Sequence, residues 1–105
     1  MRLIVRAALV ILATASPAVA QVASDPATGA ALAQTWCSGC HVVDPRQLRG
    51  NDAAPSFAAI AAAPATTSDS LHMFLAMPHA PMPDLKLSGQ QIDNVVAYIL
   101  SLRQR

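Results

Sequence analysis

Apolar residues fall along this chain in three patterns, and each predicts a different kind of segment. The first is a run from Ala7 to Ala15, interrupted only at Thr14, preceded by Arg2 and Arg6 and followed by Pro17 and Ala18-Val19-Ala20. A basic start, a short apolar centre and a small-x-small ending mark a cleaved secretory signal, here Met1 to Ala20. A membrane anchor is the competing reading, but the run falls far short of the roughly 20 apolar residues that span a bilayer.

The second pattern is helical spacing, clearest near the C-terminus, where Ile92, Val95, Val96, Ile99 and Leu100 form one stripe. Ser88 is placed to cap that helix, Gln91 to complete a capping box, and Leu87 with Ile92 to form a staple across its start. The third pattern is short apolar groups cut apart by Pro26, Pro45, Pro55, Pro64, Pro78, Pro81 and Pro83. It predicts three shorter helices. One starts after Ser24 or Asp25 with Pro26 in its first turn and carries Ala30, Leu32, Ala33 and Trp36. One lies between Pro55 and Ala63 with Phe57 and Ile60 inward. One is capped by Thr67 or Ser68 and carries Leu71, Phe74, Leu75 and Met77. No stretch alternates apolar and polar residues as a strand does. The expectation is a signal over residues 1–20 and one all-α domain over residues 21–105.

Composition sharpens this picture. With Arg2 and Arg6 removed, five Lys and Arg stand against six Asp and Glu, so the mature domain is near neutral and unsuited to nucleic acid. Its apolar content is largely alanine, with one Trp, one Tyr and two Phe, a thin core for a chain this small. Such domains need a further staple. Two cysteines only three positions apart, Cys37 and Cys40, would close a trivially short disulfide loop, which points instead to a cofactor.

Cys37-Ser38-Gly39-Cys40-His41 has the Cys-x-x-Cys-His spacing of c-type haem attachment, in which both thiols add to the haem vinyl groups and the adjacent histidine ligates iron. Two other chemistries use parts of this pattern. Trp36-Cys37-x-x-Cys40 also fits a dithiol oxidoreductase, but that site sits between a strand and a helix, and no strand precedes Trp36. A zinc site would need Cys37 and Cys40 plus two of His41, His72 and His79, and a histidine directly beside Cys40 suits it poorly.

Gly29 ahead of the motif, Cys37 to His41, Pro55-Ser56-Phe57, Met82-Pro83 and Ala97-Tyr98-Ile99-Leu100-Ser101-Leu102 together resemble the class I cytochromes c, especially small soluble or complex-associated forms of Gram-negative bacteria. The resemblance spans nearly all of residues 21–105. It implies a cytochrome c fold of three to five short helices around one covalently attached haem c, with Gly29 packed beside Tyr98 and the Pro55 carbonyl accepting the Nδ1 proton of His41. It also implies a methionine as sixth iron ligand. Met82 is the expected one, in a proline-stiffened loop ahead of the last helix, whereas Met73 and Met77 are four apart on a helix and suit packing. His79, His72 and, at high pH, Lys86 are the alternatives.

Two axial protein ligands leave no open iron site, so the implied function is carriage of single electrons, not catalysis. A haem sensor or peroxidase-like protein with a dissociable Met82 is the second reading, and a thiol oxidoreductase using Cys37 and Cys40 the third. Leu32, Phe57, Leu71, Phe74 and Leu75 are expected to surround the haem, and Arg46, Arg49 or Asn51 to meet its propionates. The expected setting is the periplasm, without a membrane anchor on the mature chain. The protein is expected to act as a monomer or small subunit with redox partners such as a dehydrogenase, a cytochrome bc complex, an oxidase or a reductase. With Lys86 the sole lysine, docking should rest on an apolar patch more than on charge.

Overall fold

The computed structural model describes residues 15–18, 22–47, 54–77 and 80–104. Most of the expected signal segment, along with Arg49, Asn51 and His79, lies outside these residues. The described chain forms four α-helices, α1 (Pro26–Trp36), α2 (Phe57–Ala62), α3 (Ser68–Ala76) and α4 (Gly89–Ser101), closed by a 3-10 turn over Leu102–Gln104. No strand occurs among the described residues, and the all-α fold is borne out.

Local chemistry explains where each helix starts. Asp25, in extended backbone, accepts from the Ala27 amide and places Pro26 at the first helical position. The Thr28 hydroxyl also donates to the Asp25 carboxylate, at 2.5 Å. That bond first, and the Ala27 amide second, hold the Asp25 carboxyl below its ordinary range. Ser56 caps α2 through the Ala59 amide. Thr67 caps α3 and Ser88 caps α4, each in a full capping box, with Ser70 and Gln91 returning the bond.

Helix α4 is the hub. It buries Ile92, Val95, Val96, Tyr98 and Ile99, and α1, α2 and α3 each pack on it. Among the described elements, those three helices make no contact with one another. The α1–α4 crossing is close because Gly29 has no side chain. A Cβ there would lie 1.9 Å from the Asn94 carbonyl oxygen and 3.0 Å from the Tyr98 Cβ. Asn94, buried on α4, ties the crossing from the other side: its Oδ1 accepts from the Asp25 amide at 2.8 Å and from Gln90 Nε2 at 3.1 Å. The core around α4 also contains Ala33, Cys37, Val43, Phe57, Ala61 and Leu71.

Candidate haem-attachment site

The motif begins where α1 ends. The Cys37 and Ser38 amides both donate to the Ala33 carbonyl, and the Cys40 and His41 amides both donate back to the Cys37 carbonyl, at 3.2 and 2.9 Å. These bonds curl residues 37–41 into one tight turn. Cys37 ends up buried and Cys40 exposed, and the two are not bridged. Burial pushes the Cys37 thiol up from its ordinary range, the opposite of the activation that dithiol redox chemistry requires.

His41 is held at both backbone and ring. Its Nδ1 donates to the Pro55 carbonyl at 2.6 Å, and its ring lies 5.4 Å from that of Phe57, tilted by 55°. The Phe57 amide in turn donates to the Val42 carbonyl at 2.9 Å, stitching the start of α2 to the residue after the motif. With Nδ1 engaged, Nε2 is the nitrogen available to a metal, and a proton fixed on Nδ1 selects that tautomer. Phe57 itself stacks on toward Tyr98, ring centroids 6.3 Å apart. The Tyr98 hydroxyl donates to the Val43 carbonyl at 2.5 Å, fastening the same loop to α4.

The remaining sequence-predicted residues are distributed unevenly. Met82 is half-buried in the loop leading to α4, after a cis Ala80–Pro81 peptide. Lys86 adopts positive φ, its amide donates to Asp84, and its ammonium pairs with the same carboxylate at 2.8 Å. Arg46 pairs with Asp44 at 2.9 Å. Of the five residues expected around haem, Phe57 and Leu71 are already covered by protein, Leu32 and Leu75 are half-buried, and Phe74 is exposed. His72 faces away from any metal role of this kind: Nδ1 meets the Ser68 carbonyl at 2.8 Å and Nε2 meets Asp93 Oδ1 at 2.5 Å. Among the described residues no group of three or more His, Cys, Asp or Glu is arranged to hold a metal ion.

Sequence reasoning missed Gln47 and Asn94, the two side-chain amides that hold this region together. Neither belongs to a periodic pattern or a motif; the Asp44-Pro45 turn just before Gln47 was the available signal.

The residues fit a c-type haem. Two unbridged thiols and an imidazole with one nitrogen committed supply the donor set. Three helices that meet only through α4, with Trp36, Met73, Phe74 and Met77 each more than half exposed, leave apolar surface for a large planar group to cover. An all-α domain presenting Cys-x-x-Cys-His from the end of its first helix defines the class of c-type haem proteins. The family comparison agrees, because residues 26–103 match the model of the cytochrome c family, and this chain belongs to that family. It is similar to cytochrome c-552 of Bradyrhizobium diazoefficiens, 41% identical over 103 residues, covering 98% of this chain and 99% of the relative. No solved structure matches it. Members of the family carry covalently attached haem c and transfer electrons, and this chain is a haem electron carrier. Among the described residues, no helix is long and apolar enough to cross a membrane.

Proposed function

We propose that this chain is a periplasmic monohaem cytochrome c in which Cys37 and Cys40 hold the haem and His41 and Met82 ligate its iron. The observation that carries this reading is the His41 ring, one residue after Cys40, with Nδ1 committed to the Pro55 carbonyl and Nε2 left for iron. When bound, haem c supplies a one-electron ferric/ferrous couple. The residues do the rest. The Pro55 carbonyl holds the proton on His41 Nδ1 and so strengthens the ring as a donor. The bonds at residues 37–41 and at Tyr98 hold the backbone that carries that donor and would limit its movement when the iron changes oxidation state. Met82, set in a loop with prolines on both sides, offers a soft thioether that favours ferrous iron. With His41 and Met82 both holding the iron, exchange of electrons with a donor and an acceptor would be the activity that remains.

Export is supported by the pattern of Met1 to Ala20. The mature chain would begin at Gln21, which the intact mass of protein recovered from the periplasm checks directly.

The test of the site is an optical spectrum of protein made in a host with haem-attachment machinery. The expected result is a covalent c-type α band in the reduced form and a far-red sulfur-to-iron band in the oxidised form. Met82→Ala should abolish the far-red band and Met77→Ala should keep it. Haem without that band in the wild type would reject Met82 as ligand, and absence of covalent haem would reject the whole reading.

A further inference from the structure

The backbone turn that carries His41 includes two part-buried acceptors, the carbonyls of Ser38 and His41. A single side chain satisfies both. Gln47 Nε2 donates to the Ser38 oxygen at 3.1 Å and to the His41 oxygen at 3.0 Å, while its Oε1 accepts from the Val43 amide at 3.0 Å. The amide group thus spends both donors and its acceptor on the motif turn and the residues just after it.

Gln47 is itself fixed by a turn. Its amide donates to the Asp44 carbonyl at 2.9 Å, and Asp44 Oδ1 accepts from the Arg46 amide at 2.8 Å, closing the Asp44-Pro45-Arg46-Gln47 corner. A rigid corner therefore presents a planar amide to the turn. Without it, part-buried carbonyls would lose their donors, and the His41 backbone would keep only the bond from its own amide to Cys37.

We propose that Gln47 is a positioning residue for the axial histidine: by clamping the Ser38 and His41 carbonyls and the Val43 amide, it fixes the backbone from which the His41 ring reaches iron. This rests on the haem ligation proposed above. The ring bond to Pro55 sets which way the imidazole faces, and Gln47 sets how far the backbone beneath it can shift. The two act at different atoms, so Gln47 can be removed with the Pro55 bond still available.

The test uses the holoprotein in four forms: wild type, Gln47→Met, Gln47→Glu and Thr67→Ala. Gln47→Met keeps the length and removes all three bonds. Gln47→Glu keeps an acceptor for Val43 and removes the two donations, so it decides the matter if the methionine variant does not fold. Thr67→Ala removes the α3 cap, a stability loss unconnected with the turn. Covalent haem is first confirmed by mass. The readouts are the hyperfine-shifted proton resonances of the His41 ring in the ferric state and the reduction potential.

The expected result is shifted and broadened His41 resonances, with a displaced potential, in both Gln47 variants and in neither respect for Thr67→Ala. Unchanged resonances and potential in a haem-loaded Gln47 variant, or the same change in Thr67→Ala, would overturn the inference while leaving haem ligation intact. Wild-type protein without covalent haem would overturn both, and is seen before any variant is compared.

Discussion

Two side-chain bonds brace the proposed ligand site, the Nδ1 bond of His41 and the hydroxyl bond of Tyr98, and a third, at the imidazole of His72, joins α3 to α4 away from it. The Tyr98 hydroxyl is buried and donates to a carbonyl in the loop that follows the motif. Tyr98→Phe should lower stability by about 1–2 kcal/mol, because the Val43 carbonyl then stays buried without that donor. Denaturant unfolding of the holoprotein measures this; a change within error would mean that water replaces the hydroxyl. His72 predicts a pH dependence. Both ring nitrogens face acceptors, the Ser68 carbonyl first in effect and Asp93 second, with Asp69 adding charge nearby, so its pKa is raised above the ordinary 6.5. The stabilisation is present in full below 6.5 and is lost as pH rises through the raised value. The pair is partly exposed, so solvent screening keeps its contribution near about 0.5 kcal/mol. His72→Gln should flatten the stability profile above pH 6.5, and an unaltered slope would refute the assignment. Cys37, Cys40, His41 and Met82 were all readable as candidates from spacing and resemblance. The His72–Asp93 pair was not, because it joins residues 21 positions apart that no motif links.

At the scale of elements, α4 organises the molecule, and Gly29 is where its contact with α1 is least forgiving. The atom that a new Cβ would strike is a backbone carbonyl, which has no rotamer to escape into. Gly29→Ala should therefore cost more than about 2 kcal/mol despite improving helix propensity, since the helices must separate. A melting temperature equal to wild type would show that α1 can slide. The helices and their starts were legible: Thr67, Ser88 and Gln91 sit where the capping rules put them, and the buried face of α4 follows the predicted stripe. Two features lie beyond what the pattern specifies. Asn94 is buried because the Asp25 amide and Gln90 occupy its carbonyl oxygen, a tertiary arrangement that periodicity does not encode. Phe74 was expected to surround the haem and is exposed on the polypeptide, because hydrophobic spacing identifies an apolar face without saying whether protein or a cofactor covers it.

For the whole molecule, charge is the feature most relevant to partners. Lys86 and Arg46 are paired with Asp84 and Asp44, and Arg103 donates to the Ala61 and Thr66 carbonyls. Long-range steering should be weak, while Trp36, Met73, Phe74 and Met77 offer apolar contact. Electron-transfer rates with a physiological partner should change by less than about threefold between about 20 and 200 mM salt. A steep fall in stopped-flow rates would show charge-guided docking instead. Fold class was legible at this scale because helix periodicity and the absence of strand alternation do not depend on the cofactor. The crossing of α1 on α4 came from the resemblance, which put Gly29 beside Tyr98, while the seats of α2 and α3 on α4 were not legible, since they depend on contacts between distant segments.

The burial of Cys37 against α4's core carries a consequence for the order of events during biosynthesis. The thiol is 7% exposed in the finished fold, and the helix that completes its surroundings starts only at Gly89. A chain emerging from its N-terminal end presents the motif turn well before α4 exists. During that interval both sulfurs are open to modification; once α4 docks, the Cys37 sulfur is sheltered. If Cys37 holds haem as proposed above, its attachment would therefore be favoured before the last helix packs and hindered afterwards.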